Sequence, residues 1–462
     1  MNYKKLPLFF QHSIFQFTDN DFVEIIHQSS KLSFDGKTEL QYKPIRFYPE
    51  LNTIIENLKN IINVDDSFLH LESYISLDKN RPDPNELLLE TPLLNLILEY
   101  MFSTDNINYI SSCFGVLIHL SLADQKSESP LFSHEFFQFI RNFMNDKYPQ
   151  ILLLVLEVLN NLVLDQNFLE DQIMVFLENG IPDLLVQLCL STNTPKMNYF
   201  SLQISSNICR NMTDNNYFEG LKAFKNFVPF AISLLKPNYS MTIAIELLSF
   251  LLFDRECCEY SLQYNVIEML KNSLDYLSED SISNTYISIN SLIQIMNLSN
   301  EFVDSTLIQK TLTFIQNDDI QDTRPLFLFL YSLCDEHWKL LGSLEVPQFL
   351  IFCIMSAPLC VQKKAVLVLS HLIINFLPQI PHPSWYFEAI SNVVEHIHGL
   401  SIRKTEQVLE DIIKINDSDH QLFMSCIQHF DFEGCLEDIK EKDLINEQIL
   451  KYVDYLYNST LG

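Results

Sequence analysis

Apolar and polar positions along the chain alternate with the period of an α-helix, and the long apolar helical stretches end in a recurring pattern. In each ending two variable positions separate two apolar residues, and we name the second variable position the ladder position. Successive ladder positions are 35 to 50 residues apart. They are His119, Asn161, Asn211, Phe250, Asn297, Ser332 and His371. A loose period of this length predicts stacked helical repeats, each burying its apolar face against its neighbours.

One stretch, from Asn167 to Asp214, resembles an armadillo repeat along its whole length. Gly180 allows a sharp turn after the first helix, and Ile181-Pro182 opens the second, because proline is tolerated at the start of a helix. The third helix ends in ICRNM, which resembles the closing Leu-x-Asn-Leu of that family. The other units are degenerate, since of their ladder positions only Asn161 and Asn297 are asparagine. The resemblance implies an all-α fold, a right-handed α-solenoid of about seven degenerate armadillo-like repeats with irregular helical ends.

The prolines and the repeat pattern together predict three regions. Residues 1–90 are expected to form an irregular helical N-terminal cap, which ends near the DKNRPDPNE segment. Residues 91–380 are expected to form the armadillo-like array. Residues 381–462 follow the LPQIPHPSW segment and are expected to form a helical C-terminal cap, because the terminal repeats of solenoids are commonly atypical.

The candidate binding site follows from the same resemblance. In armadillo folds the third helices line a concave groove that holds an extended peptide, and a ladder asparagine there offers the peptide backbone both a donor and an acceptor. The residues predicted to line this groove are Glu157, Asn161, Asn207, Asn211, Glu246 and Asn297. Import adaptors of the importin-α kind carry tryptophan one turn before the ladder asparagine, and no such tryptophan occurs here. The chain therefore does not resemble a conventional import adaptor.

The second half of the array offers Ile293, Leu328 and Leu367 one turn before its ladder positions, with Arg324 and Lys363 a further turn back. Two interpretations are open. Either the groove has an acidic stretch followed by an apolar one, or the register slips in the weaker repeats and these apolar residues belong to the core.

The net charge of −29 bears on the partner. Such a field repels phosphate backbones and argues against nucleic-acid binding, whereas it attracts basic peptides. The alternative is that acidic residues only keep an apolar-rich solenoid soluble. The apolar runs fall short of a membrane span and no secretory signal is evident, so we expect a cytoplasmic protein, with the nucleus as the alternative. The oligomeric state is left open by the sequence.

No motif predicts an enzyme, a metal site or a cofactor. Gly36-Lys37-Thr38 lacks the earlier glycine of a phosphate loop, and His134-Glu135 lacks the second histidine of a zinc helix. His396 and His398 are two residues apart on a predicted helix and would point in different directions. Cys257-Cys258 could be a redox pair, but a buried reduced pair is the favoured interpretation.

Two functional hypotheses remain. The first is a non-enzymatic protein–protein interaction scaffold that binds a peptide or protein partner along the concave groove, with a basic partner favoured. The second is an armadillo-like regulatory or exchange-factor subunit, which docks onto a larger machine by its convex face or its ends.

Overall fold

The computed structural model describes most of the chain after residue 48. The described residues are 49–59, 67, 71, 83–90, 92–123, 129–145, 147–164, 170–191, 194–238, 240–317, 320, 322–379, 381–428, 430–441 and 447–460. Within these ranges the regular structure consists of α-helices and short 3-10 turns, without a strand. The predicted all-α class is confirmed.

The described residues form two compact units, and the first lies within residues 30–277. Its helices are α1 (Pro49–Lys59), α2 (Pro84–Glu90), α3 (Leu93–Ser103), α4 (Ile107–Leu120), α5 (His134–Arg141), α6 (Pro149–Val163), α7 (Glu170–Glu178), α8 (Ile181–Ser191), α9 (Pro195–Asp214), α10 (Phe227–Ser233), α11 (Met241–Leu251), α12 (Arg255–Ser261) and α13 (Val266–Ser273). The third helices of successive repeats, α4, α6, α9 and α11, pack side by side in that order.

The second unit lies within residues 278–462. Its helices are α14 (Glu279–Met296), α15 (Ser299–Phe302), α16 (Ser305–Ile315), α17 (Arg324–Ser332), α18 (Cys334–Ser343), α19 (Val346–Ser356), α20 (Leu359–Phe376), α21 (Tyr386–His396), α22 (Ile402–Ser418), α23 (His420–Ile427), α24 (Phe432–Lys440) and α25 (Glu447–Thr460). Here α14, α17, α20 and α22 form the corresponding row of neighbouring helices.

The repeat formed by α7, α8 and α9 shows how the sequence produces this fold. Gly180 has φ of 66°, a left-handed conformation that glycine adopts without steric cost, and it turns the chain between α7 and α8. Pro182 stands in the first turn of α8, where its missing N–H has no intrahelical acceptor in any case. One face of α8 is buried, with Leu185 fully inaccessible. The predicted armadillo-like repeat fold is confirmed.

The same left-handed turn precedes the second helix of two other repeats. Asn265, directly before α13, has φ of 57°, and Glu345, directly before α19, has φ of 60°. Asparagine tolerates this region, whereas glutamate does so at a steric cost. Glu345 therefore occupies the position that Gly180 holds in its own repeat, and the geometry of the turn is kept although the glycine is not.

The predicted division of the chain into 1–90, 91–380 and 381–462 stays a prediction, as do the number of repeats and the handedness of the superhelix. Residues 1–48 and most of 60–82 lie outside the described residues. At the other boundary, α20 ends at Phe376 and packs against both α21 and α22, so that the row of third helices continues past the proline-rich segment.

One described helix, α20, reaches the length and apolar composition of a membrane span, and 50% of that window is buried within the protein. Two strongly bent helix pairs, α7 with α8 and α18 with α19, pass the same test if each pair is counted as one span. The sequence predicts that the apolar runs fall short of a span, and among the described helices α20 is the one single-helix candidate by length and composition.

Candidate functional site

The side-chain amide of Asn161 on α6 binds the preceding third helix. Its Nδ2 donates to the carbonyl oxygen of Ile118 at 2.9 Å and to Oγ of Ser121 at 3.1 Å, both at the C-terminal end of α4. These acceptors belong to the last turn of a helix, where carbonyl groups have no intrahelical donor. Asn161 thus satisfies a helix end and joins two repeats at the same time.

Asn211 on α9 makes the equivalent link one repeat later. Its Nδ2 donates to the carbonyl oxygen of Val163, the last residue of α6, at 3.2 Å and to that of Asn207 at 2.9 Å. The predicted groove residues Asn161 and Asn211 therefore have their donors occupied by the protein itself. What they offer a ligand is the acceptor oxygen Oδ1.

Asn207 lies one turn before Asn211 and is only 2% exposed. Among the described residues, its Nδ2 atom has no hydrogen-bond acceptor although the atom is buried. A buried amide donor without an acceptor costs roughly 1–3 kcal/mol. Asn207 is therefore an energetically unfavourable buried polar residue within the row of third helices.

Glu157 on α6, one turn before Asn161, is paired with a surface lysine. Its Oε1 lies 3.2 Å from Nζ of Lys196 at the start of α9, and the two side chains are 29% and 57% exposed. The same ammonium group lies 5.6 Å from the centre of the Phe200 ring. The carboxylate is thus partly accessible, and a cation from the protein already neutralises it.

Glu246 on α11 is held more firmly. It forms an ion pair with Arg210 of α9, and both side chains are mostly buried. The guanidinium group of Arg210 also lies 6.0 Å from the centre of the Phe250 ring. Because each predicted acidic residue has a basic partner, this face is polar and close to neutral, where the sequence predicted a net acidic strip.

In the second unit the predicted groove residues do not lie together on one exposed helix face. Asn297 is the residue after α14, exposed and left-handed with φ of 55°, so that it ends the helix and lies outside it. The apolar positions Ile293, Leu328 and Leu367 are buried. They belong to the core, which is the second of the two interpretations that the sequence left open.

Asn375 on α20 makes the link that the sequence assigned to the ladder position His371. Its Nδ2 lies 3.2 Å from the carbonyl oxygens of Cys334 and His371, the same pattern that Asn211 makes with Val163 and Asn207. The ladder of this repeat is one turn further along. Counting from the second-helix proline would have found it, since Pro182 precedes Asn211 and Pro347 precedes Asn375 by nearly the same interval.

Asn290 on α14 is another asparagine that the sequence pattern missed. It is fully buried, and its Nδ2 donates to the carbonyl oxygen of Pro325 in the first turn of α17 at 2.9 Å. The link runs to the following repeat and not to the preceding one. Asparagine therefore joins third helices in both units, through different turns.

A polar cluster occupies the row of third helices in the second unit. His371 stacks on Tyr331, with ring centres 4.5 Å apart, and its Nε2 lies 2.8 Å from Oδ1 of Asp335. The hydroxyl of Tyr331 accepts a hydrogen bond from Gln407 of α22 at 2.7 Å. The hydrogen bond with His371 lowers the pKa of Asp335, while burial raises the pKa of Tyr331. The cluster holds α17, α20 and α22 together.

Asp411 on α22 is the least compensated charge of this cluster. It is 4% exposed, and its Oδ1 lies 3.4 Å from Nζ of Lys414. Its Oδ2 is buried, and no described residue donates a hydrogen bond to it. Burial raises the pKa of Asp411 to about 6, although the nearby His371 and Lys414 act in the opposite direction.

The remaining sequence motifs have local structural contacts. His134 lies 3.0 Å from Asn179 through Nδ1 and 3.3 Å from Glu178 through Nε2, and so joins α5 to the end of α7. Cys257 and Cys258 are both free and buried. Within the described part of the chain no group of three or more histidine, cysteine, aspartate or glutamate side chains could hold a metal ion. Residues 36–38, the partial phosphate loop, lie outside the described residues.

The chain is similar to solved structures of engineered and designed proteins. An engineered protein of known crystal structure matches 95% of this chain and 99% of its own, with a TM-score of 0.60 and 12% sequence identity. A designed armadillo repeat protein matches 52% of this chain and 99% of its own, with a TM-score of 0.42 and 17% identity. A further designed armadillo repeat protein, in complex with the peptide (KR)4, matches 53% of this chain and 100% of its own, with a TM-score of 0.44 and 17% identity.

At these identities the likeness concerns the fold. The chain matches no family model and no curated relative.

Proposed function

We propose that the protein is a non-enzymatic scaffold that binds a peptide or protein partner along the third-helix face of the first unit. The face is built from side chains that are held in place by bonds between repeats, as the links made by Asn161 and Asn211 illustrate. Side chains fixed in this way lose little further entropy when a ligand arrives. We place the protein in the cytoplasm, with the nucleus as the alternative.

The ion pair between Glu157 and Lys196 is the observation that carries this proposal. Exposed ion pairs contribute about 0–1 kcal/mol, so a cation from a partner can replace Lys196 on the carboxylate at low cost. Glu157 and Asn161 are one turn apart on the same face of α6, and Oδ1 of Asn161 receives no hydrogen bond from a described residue. A basic side chain on Glu157 and a backbone N–H on Asn161 are therefore compatible with one extended peptide.

Glu246 has a different part in the proposed site. Its pair with Arg210 is mostly buried, and separating such a pair leaves an uncompensated charge in the protein interior. We therefore assign the selection of basic residues to Glu157, and we assign to Glu246 and Arg210 the task of holding α9 and α11 together beside it. Asn297, exposed at the end of α14, is left out of the proposed contact surface.

The test uses a partner identified by affinity purification and mass spectrometry, with affinities measured by calorimetry at low and at physiological salt. Glu157→Gln should weaken binding about tenfold, and Lys196→Gln, which frees the carboxylate, should strengthen it several-fold. Lys225→Gln is the matched control, because Lys225 also forms a partly exposed ion pair, with Glu256 of α12. If neither Glu157→Gln nor Lys196→Gln changes the affinity while both proteins stay folded, the groove is not the site.

The alternative function, docking onto a larger assembly by another face, has one observation in its favour. Large apolar side chains are exposed near the C-terminal ends of second helices, among them Leu190 on α8 and Met355 on α19. Binding through apolar contacts should depend weakly on ionic strength, whereas capture of a basic peptide at Glu157 should weaken steeply as salt rises. The salt dependence of the purified complex therefore separates the two functions.

A further inference from the structure

An exposed apolar surface lies at the corner between α19 and α20 in the second unit. Phe352, Met355 and Leu359 are 57%, 66% and 59% exposed, and they follow one another at intervals of three and four residues. Single exposed apolar residues are normal on a protein surface, whereas a contiguous group marks an interaction site. The opposite side of α19 is buried in the core. This helix is therefore apolar on two sides, and no described residue covers the second.

The corner also differs from the rest of the chain in charge. The chain contains 59 acidic residues, yet no aspartate or glutamate occurs between Glu345 and Glu388. Lys363 is one turn after Leu359 on the same face of α20, and no described carboxylate forms an ion pair with it. In a strongly acidic protein, this corner is thus apolar and locally positive.

The neighbouring helix ends add to the positive potential. Nζ of Lys364 donates to Thr323, the residue before α17, at 3.0 Å, and a Cβ built on Gly399, just before α22, would lie 4.0 Å from Cε of Lys363. The two lysines of α20 therefore face the N-terminal ends of the helices on either side. Neither of those helices has an acidic residue in its first turn, and α22 has the exposed Arg403 there. The N-terminal end of a helix carries a partial positive charge.

Lys364 shows that these cations are close enough to affect one another. Burial lowers the pKa of Lys364, Asp322 opposes this effect, and the positive charges of Arg324 and Lys404 lower the pKa further. Arg324 is itself bound by both carboxylate oxygens of Asp322, so its charge is compensated. We assign to a partner the charges of Arg403, which is exposed, and of Lys363, which is partly exposed.

We propose that this corner, formed by Phe352, Met355, Leu359, Lys363 and Arg403, is a docking site for a segment of a partner polypeptide that combines acidic and apolar residues. Apolar side chains of the segment pack on Phe352, Met355 and Leu359, and its carboxylates bind Lys363 and Arg403. The proposal shares with the proposed function only the premise that the protein binds other proteins. It concerns the other unit of the chain and the opposite charge.

The number of basic residues and the net charge both favour a peptide segment over an anionic membrane as the occupant of this corner. Membrane surfaces are recruited by clusters of about four to eight basic residues, whereas at this corner Arg403 is exposed and Lys363 is only partly exposed. A flat anionic surface would also meet the net charge of −29, whereas a short segment senses only the charges within about 8 Å at physiological salt. A short acidic and apolar segment fits both conditions.

The experiment uses the full-length protein and a fluorescein-labelled synthetic peptide of repeated Asp-Leu-Glu-Phe units, with binding followed by fluorescence anisotropy. Lys363→Glu should weaken binding about tenfold, and the double variant Phe352→Ser and Met355→Ser should abolish it. Lys236→Glu and Tyr276→Ser are the matched controls, since both residues are exposed in the first unit. Because the substituted side chains are exposed, or partly exposed in the case of Lys363, circular dichroism of each variant should match the wild type.

Cys360 provides a second readout. It is exposed and directly follows Leu359, whereas the other nine cysteines are buried or partly buried. The bound peptide should slow alkylation of Cys360 in the wild type and should not do so in Lys363→Glu. A control peptide of repeated Lys-Leu-Arg-Phe units should leave the alkylation rate unchanged.

Three results would overturn the proposal. The first is equal affinity of the acidic peptide for the wild type and for both corner variants. The second is binding to phosphatidylserine vesicles that depends on Lys363 and Phe352 when the peptide does not bind, which would assign the corner to a membrane. The third is self-association that Phe352→Ser abolishes without peptide binding, which would assign it to a second copy of the chain. None of them affects the test at Glu157 and Lys196, so this proposal and the proposed function fail independently.

Discussion

The side-chain amide of Asn375 donates to the carbonyl oxygen of Cys334 at 3.2 Å and so joins α20 to the first residue of α18, just after the end of α17. Asn211 joins α9 to α6 in the same way. In this protein the ladder asparagines are therefore first of all links between repeats. Because these links use the Nδ2 group, any contact with a ligand has to be made by the amide oxygen Oδ1.

We expect Asn211→Ala to destabilise the protein by about 1–3 kcal/mol, because the buried carbonyl groups of Val163 and Asn207 would lose their side-chain donor. Urea unfolding followed by circular dichroism measures the change. Asn142→Ala is the control, since Asn142 is exposed after α5 and its side chain makes no hydrogen bond with a described residue. Equal stability of Asn211→Ala and the control would contradict the role of the amide as a link.

Glu345→Gly should stabilise the second unit by about 0.5–1 kcal/mol. The left-handed conformation, with φ of 60°, costs a residue with a side chain about 1–2 kcal/mol, and the greater freedom of glycine in the unfolded chain offsets part of that gain. Glu345→Ala keeps the steric cost and should give no stabilisation. Gly180→Ala should have the opposite effect, a loss of about 1 kcal/mol, although nothing lies within 4 Å of the added Cβ.

Asp411→Asn should stabilise the protein at neutral pH. Burial raises the pKa of Asp411 to about 6 in the folded protein, from an ordinary value of 3.8. Between these values the folded state binds more protons than the unfolded state, so the stability of the wild type falls as pH rises from about 4 to about 6. Asparagine has no charge to desolvate. The advantage of the variant should therefore be near zero below pH 4 and reach at most about 3 kcal/mol at pH 7.

The measurement is the difference in unfolding free energy between Asp411→Asn and the wild type at several pH values from 4 to 7.5. Taking the difference removes the contributions of the other carboxylates. A constant difference across this range would show that Asp411 is ionised normally. A loss of stability at pH 7 would show that its contact with Lys414 outweighs the cost of burying the charge.

Leu185→Ala should cost about 2–5 kcal/mol, because Leu185 is fully buried on the inner face of α8. In a repeat protein each unit contacts mainly its neighbours, so the damage should be local and unfolding should become multi-step. Hydrogen exchange should show faster opening of α7 to α9 than of α14 to α22. Leu190→Ala is the control on the same helix, since Leu190 is 71% exposed.

The sequence pattern predicts the ladder position correctly in some repeats and one turn too early in another. This difference has a physical cause. In α9 polar residues, among them Asn207 and Asn211, alternate with apolar ones, and this pattern fixes the register. In α20 the stretch from Ala365 to Ser370 is buried without interruption, so that several registers satisfy the same apolar pattern, and the pattern predicts His371 where the structure has Asn375. Likewise, the apolar residue pattern around Asn297 marked the end of α14, but the pattern could not show that Asn297 is the turn after the helix.

The sequence by itself determined the all-α repeat fold, because the helical period of apolar residues and the spacing of the helix ends depend only on local composition and neighbour-to-neighbour burial. It also determined the overall acidity. Only the tertiary structure decided how that charge is distributed. Glu157 and Lys196 are 39 positions apart, and Arg210 and Glu246 are 36 apart, yet each pair meets across two helices and removes the charge that the sequence assigned to the groove. Charge pairing depends on which helix faces come together in space, and that is set by packing between repeats and not by any local pattern in the chain.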